Sequence, residues 1–203
     1  MTVTVVDYGI GNLGAIPNML RRVGVEAVVS ADPDVVARAE RLIVPGVGAY
    51  DAGVRNLRAS GLWEVLEKKA LVERVPVLGL CLGMELLSER SEEGELPGLG
   101  WIPGRVVRFR MPADSRLRVP HMGWNTVAAR RPSPLADVID GARFYFAHSY
   151  YFEPAQPEST AGVTTYGYPF ASVVHQDNIV GVQFHPEKSH RFGLALLARF
   201  AGA

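Results

Sequence analysis

The sequence predicts an α/β fold: a mostly parallel central sheet flanked by helices, with an antiparallel extension. Three observations predict it. In the first half, short apolar runs alternate with helical spacings, the pattern of parallel strands buried on both faces. In the second half, strand-like runs follow one another across short turns, which suits antiparallel pairing. Between them, a strand-like run passes into a helix-like run at one residue set between glycines, "VPVLGLCLGMELL".

The elements read in order. "TVTVVDYG" is a first strand, and "GNLGAIPNMLRRVG" a helix closed by Gly24. "VEAVVS" and "ERLIVPG" are the second and third strands. "YDAGVRNLRASGLWEVLEKKALVE" has helical spacing in two pieces broken near Ser60-Gly61, since glycine weakens a helix interior. "VPVLGL" is a fourth strand, and "LGMELLSER" a further helix. Then come "LGWIPGRVVRFR", "RFYFAHSYYF", "STAGVTTYGY", "FASVVHQ" and "IVGVQF", all strand-like, with no good helix between them. "SHRFGLALLARFAG" is a last helix, with Ser189 as its N-cap. No repeat, linker or composition shift divides the 203 residues, so residues 1–203 read as a single domain.

Composition narrows the function. There are 21 basic and 21 acidic residues, with no basic stripe of the kind nucleic acid requires. No apolar run approaches the roughly 20 residues of a membrane span, and the N-terminus reads as a strand rather than a signal peptide. A single cysteine makes no internal disulfide, which points to the cytoplasm. No two histidines have ligand spacing, which argues against a metal site.

The lone thiol is Cys81, within Gly79-Leu80-Cys81-Leu82-Gly83. This G-x-C-x-G stretch is the thiol form of a nucleophile elbow. A sharp strand-to-helix turn needs neighbours without side chains, and a helix N-terminus favours the reactive thiolate. A small buried cysteine is an equally good reading until a base is found. "GVQFHPEKS" offers one. Pro186 holds His185 extended, positions i and i+2 share a face, and Glu187 can orient the imidazole as the third member of a triad. In a parallel sheet Cys81 and His185 reach the same carboxyl edge. "LIVPGVGAYD" puts Gly46, Val47 and Gly48 after a strand, where backbone N–H groups can serve as an oxyanion hole; a plain βα turn fits those glycines as well.

These motifs, in this order, resemble the class I, triad-type glutamine amidotransferases over nearly the whole chain. "VVDYGIGNL", "PHMGWN" and "YFAHSYYF" are most similar to the branch that serves imidazole glycerol phosphate formation in histidine biosynthesis. The resemblance implies that Cys81 attacks the glutamine side-chain amide, His185 moves the proton and Glu187 orients His185. Backbone N–H groups near Gly48 and Leu82 would hold the oxyanion, with Ser149 and Tyr150 lining the glutamine site. It implies no cofactor, and a heterodimer with a (β/α)8 barrel cyclase that receives the ammonia. Asn12, Met122, Trp124 and Lys188 would face that partner; without the resemblance, Met122 and Trp124 read as core. Separately from the resemblance, a peptide in the PGVG loop that flips between productive and unproductive states would make activity depend on the partner's ligand; a preformed oxyanion hole is the open alternative. Other readings remain open: a glutaminase of another pathway, such as pyridoxal phosphate or anthranilate synthesis, or a silent regulatory subunit on the same fold.

One residue departs from the family pattern. Glutamine is usual four residues after the cysteine, and here stands Glu85. A carboxylate one helical turn from a thiolate raises the thiol pKa. Glu85 is therefore turned away, paired, or used to grip the substrate's α-ammonium group; the last is the working expectation.

Overall fold

A strand with apolar side chains on both faces needs a layer on each side. The computed structural model, which describes residues 2–11, 13–112 and 114–203, has that arrangement. Its first half runs β1 (Thr2–Val6), α1 (Ala15–Arg22), β2 (Glu26–Ser30), α2 (Pro33–Ala37), β3 (Arg41–Val44), α3 (Tyr50–Ala59), α4 (Trp63–Glu67), β4 (Val77–Leu80) and α5 (Leu82–Glu85). The second half runs β5 (Arg90–Ser91), β6 (Gly104–Arg108), β7 (His121–Thr126), β8 (Ala128–Ala129), α6 (Ala136–Ile139), β9 (Arg143–His148), β10 (Tyr150–Pro154), β11 (Thr160–Tyr166), β12 (Tyr168–Gln176), β13 (Ile179–Val182) and α7 (His190–Ala201).

The main sheet has the order β2-β1-β3-β4-β13-β12-β11-β8. Strands β2 to β13 in that order are parallel, and the rest antiparallel, so the predicted extension is part of the same sheet. Side chains alternate between two cores. Val5, Ile43, Leu78 and Val182 pack with Ile16, Leu20, Phe184 and Leu196 on one face. Val6, Leu42, Val44 and Val77 pack with Val54, Leu57, Leu66 and Leu86 on the other. Each fully buried Val, Leu or Phe side chain contributes about 1.5–3 kcal/mol. Among the described residues no helix is long and apolar enough to cross a membrane.

Several elements differ from the sequence reading. The helix expected over "LGMELLSER" ends after one turn, at Glu85. The carbonyls of Leu86, Leu87, Ser88 and Glu89 accept instead from the N–H groups of Leu99, Ile102, Gly100 and Gly98, so a second chain segment replaces the helical partners. "RFYFAHSYYF" is two strands in different sheets: β9 pairs with β7, and β10 with β6. Helices α2 and α6 add to the expected set. The first is capped by Asp32, whose side chain accepts from the Asp34 N–H at 2.8 Å, with Pro33 opening the helix. Ser189 occupies the N-cap position of α7 but makes no capping bond. Its hydroxyl donates to the His185 carbonyl at 2.6 Å and accepts from the Tyr145 N–H at 3.0 Å.

Candidate active site

Three neighbouring strands deliver the chemistry. Val44 lies beside Gly79, and Leu80 beside Val182. Their next residues are Pro45, Cys81 and Gln183, all leaving the same carboxyl edge. The Cys81 N–H donates to the Val182 carbonyl at 2.8 Å, so the elbow and the segment carrying His185 are joined at the point where both strands end.

The elbow is strained as a nucleophile turn requires. Cys81 has φ 52° and ψ −110°, a backbone state costing a non-glycine residue on the order of 1–3 kcal/mol. A Cβ on Gly83 would collide with the Val44 carbonyl, and one on Gly79 would lie 2.6 Å from the Gly83 oxygen. Both glycines are there for space. Gly48 is different: nothing among the described residues would meet its Cβ, but its φ is +112°, which side-chain-bearing residues avoid.

His185 leaves β13 through an isolated bridge to Tyr145. Its Nδ1 lies 2.8 Å from Glu187 Oε1. A carboxylate only accepts, so the proton sits on Nδ1 and Nε2 is left as the base. The pair forms across a single turn of 3-10 helix, Pro186–Lys188, rather than along an extended chain.

Cys81 and His185 open onto one cleft of about 410 Å³, which Val47, Gly48, Leu82, Glu85, Ser149, Tyr150, Met122 and Lys188 also line. The cleft thus gathers most of the residues singled out from sequence. Gly46 sits behind it, packed against Tyr8 and Leu82. The Tyr8 hydroxyl donates to the Pro45 carbonyl at 2.6 Å and anchors that loop. Glu187 stands behind His185, its carboxylate on the ring's Nδ1 side. Met122 and Trp124 are not core: they are 63% and 39% exposed. The Trp124 ring stacks on His190 at 5.5 Å. Asn12 lies outside the described residues.

The electrostatics correct one expectation. Burial, and then Glu85, push the Cys81 thiol up. The Leu82 N–H at the sulfur opposes this, by less. A one-turn helix does not make this a resting thiolate, so the chemistry needs a base to remove the proton.

Sequence reasoning missed four side chains. Gln183 Nε2 donates to Glu85 Oε1 at 2.8 Å and lies 3.9 Å from Cys81 Sγ. Glu93 lines the cleft and accepts from the Tyr50 N–H at 2.8 Å. His148 also lines it. Its Nδ1 lies 2.6 Å from the Tyr150 carbonyl, and its Nε2 lies 3.0 Å from His121 Nδ1. Burial lowers their pKa values to about 3 for His148 and about 4 for His121, so both rings are neutral. His148 Nδ1–H then donates to the Tyr150 carbonyl, and His148 Nε2 accepts from His121 Nδ1–H. Only the register could have signalled this pair, since His121 faces His148 across β7 and β9.

Residues 4–201 match the model of the glutamine amidotransferase class-I family. The chain is 45% identical over 199 residues to the imidazole glycerol phosphate synthase subunit HisH 2 of Methanococcus maripaludis, covering 98% of each chain. It is 48% identical to the subunit of the same name from Pseudomonas aeruginosa, again over 98% of both. A glutamine amidotransferase structure from Thermotoga maritima superposes with a TM-score of 0.66 at 17% identity, covering 100% of this chain and 99% of that one. The strained thiol elbow, the histidine–glutamate pair beside it and a family match from end to end lead to one conclusion: the chain belongs to the class-I glutamine amidotransferases.

Proposed function

We propose that the chain, as one domain over residues 1–203, is the glutaminase subunit of an imidazole glycerol phosphate synthase. It hydrolyses glutamine to glutamate and ammonia and hands the ammonia to a (β/α)8 barrel cyclase. The cyclase uses it to form imidazole glycerol phosphate and an aminoimidazole carboxamide ribotide. The reaction takes place in the cytoplasm. The observation that carries this reading is the Cys81 elbow opening onto the same cleft as His185, itself oriented by Glu187. Near-full-length identity to the two synthase subunits supports the choice of pathway.

The geometry supports the following chemistry. His185 Nε2 takes the Cys81 proton as the sulfur attacks the substrate amide carbon. N–H groups of Gly48 and Leu82 receive the oxyanion. His185 returns the proton to the departing ammonia, leaving a glutamyl thioester. Water, deprotonated by His185, then cleaves the thioester and restores the thiol. Glu93, on the cleft wall, matches the substrate's α-ammonium group by charge. Ser149 and Tyr150 offer hydroxyls to the amino-acid end. Glu85 forms part of the cleft beside the thiol.

The partner covers the cleft mouth. Met122 lines the cleft and is exposed; Trp124, two residues on in β7, is exposed beside the Tyr145 ring, over which Lys188 lies 5.7 Å from the ring centre. The test is glutamate release by the chain alone, with the cyclase, and with the cyclase plus its nucleotide substrate, using Cys81→Ala as control. Activity that rises with the loaded cyclase and vanishes in the variant is expected. No release in any sample overturns the reading.

A further inference from the structure

Glu85 is an acid placed where a negative charge works against the reaction. It is 5% exposed. Its carboxyl receives a hydrogen bond from a neutral amide, Gln183 Nε2 at 2.8 Å. Among the described residues no lysine, arginine or histidine forms an ion pair with it. The groups around it make matters worse for an anion. Cys81 is one turn away, its carbonyl accepting the Glu85 N–H at 3.0 Å. Glu93, from the segment after β5, adds a like charge. From α3 comes Tyr50, whose phenol is pushed up to about 12, and from the β1–α1 segment Tyr8, also pushed up; both stay neutral. The HPE turn contributes His185, committed to Glu187, and Lys188, placed over the Tyr145 ring. Tyr150 lines the cleft from β10.

Gln183 links the acid to the nucleophile. Its Nε2 carries two hydrogens, one for Glu85 and one toward Cys81 Sγ at 3.9 Å. Among the described residues its Oε1 is buried without a partner, and its two N–H groups are directed at these two groups. An ionised Glu85 would put a full charge at the far end of that bridge.

We infer that Glu85 is a positioning residue that works as a neutral carboxylic acid, holding Gln183 against the Cys81 sulfur without charging the site, and that loss of its proton sets the alkaline limit of the enzyme. Burial raises its pKa, the Gln183 N–H opposes this by less, and Glu93 adds to the rise; the balance is about 8, which keeps the proton on at neutral pH. A carboxylic acid presents a donor on one terminal atom and an acceptor on the other, as a carboxamide does, though with one donor hydrogen where the amide has two. The acid thus does the work of an amide until the pH rises. The α-ammonium group, which a neutral acid attracts weakly, is left to Glu93. The inference rests on the glutaminase reading for its consequence, but not for the protonation itself.

Two measurements test it. In a chain labelled with carboxyl-13C glutamate, one side-chain carboxyl carbon titrates about pH 8, and that signal is missing in Glu85→Gln. If every glutamate carboxyl carbon titrates below about pH 6, the inference is overturned, whether or not the variant folds. In the complex, kcat/KM for glutamine is followed against pH. The wild-type alkaline limb is expected to move upward by roughly one pH unit or more in Glu85→Gln, whatever the height of the plateau. An unmoved limb overturns the inference. Absence of glutaminase activity at any pH would count against the proposed function and leave the carbon titration to decide the protonation.

Discussion

His185 Nδ1 and Glu187 Oε1 lie 2.8 Å apart, both side chains nearly buried. The His185 carbonyl is held in turn by the Ser189 hydroxyl at 2.6 Å. The imidazole therefore has one tautomer and one direction, and only Nε2 remains for chemistry.

Glu187→Gln keeps the shape of this contact but no longer demands a proton on Nδ1, and it removes the charge that supports the imidazolium. The expected loss in kcat is about 10²–10⁴-fold, with little change in melting temperature. Steady-state glutamate release, with Cys81→Ala as the blank, checks it. A loss under about threefold would show that Glu187 does not orient the base.

Gly83→Ala drives a methyl group into the Val44 carbonyl. Neither group is the flexible end of a side chain, so the elbow must shift. Overpacking of this kind costs about 1–3 kcal/mol and occasionally more. Urea denaturation should show a lower midpoint and the assay a larger loss than stability alone explains. An unchanged midpoint and rate would mean that the turn is not packed as described.

Acid should loosen the wall of the cleft. His148 titrates at about 3 in the folded chain, below the ordinary 6.5. As pH falls through 6.5 the unfolded chain takes up the proton first, so stability present at neutral pH drains away toward the folded value. Between pH 6.5 and 4 the loss is on the order of 2–4 kcal/mol. His148→Gln should flatten the slope of unfolding free energy over that window. Parallel slopes in wild type and variant would show that the pair does not govern acid stability.

Trp124→Ala should weaken the cyclase complex by roughly tenfold or more, as truncation of a buried interface aromatic does. The isolated chain should melt within a few degrees of wild type, because the ring is already partly exposed. Titration calorimetry against the cyclase reads the first, and thermal denaturation the second. Unchanged affinity would move the partner off this face.

The central sheet and the elbow are legible in the sequence because their causes are local. Apolar runs of strand length need no distant information. The bare neighbours of Cys81 and the proline after His185 restrict the backbone where they stand. The helix over "LGMELLSER" fails beyond its first turn because helical propensity is a weak prior, and the carbonyls of residues 86–89 find partners around residue 100 instead. Ser189 does not cap α7 for a similar reason: its hydroxyl is taken by His185 and Tyr145.

By itself, then, the sequence determined which residues could serve as nucleophile, base and orienting acid, since two short motifs set their types and local geometry. Only the tertiary structure decided what surrounds them. Glu85 and Gln183 are 98 residues apart in the chain, and His121 and His148 are 27 apart. No local rule pairs them. Strand order and register bring each pair together, and burial then fixes their charge, because a buried group without a counter-ion is cheaper neutral than ionised.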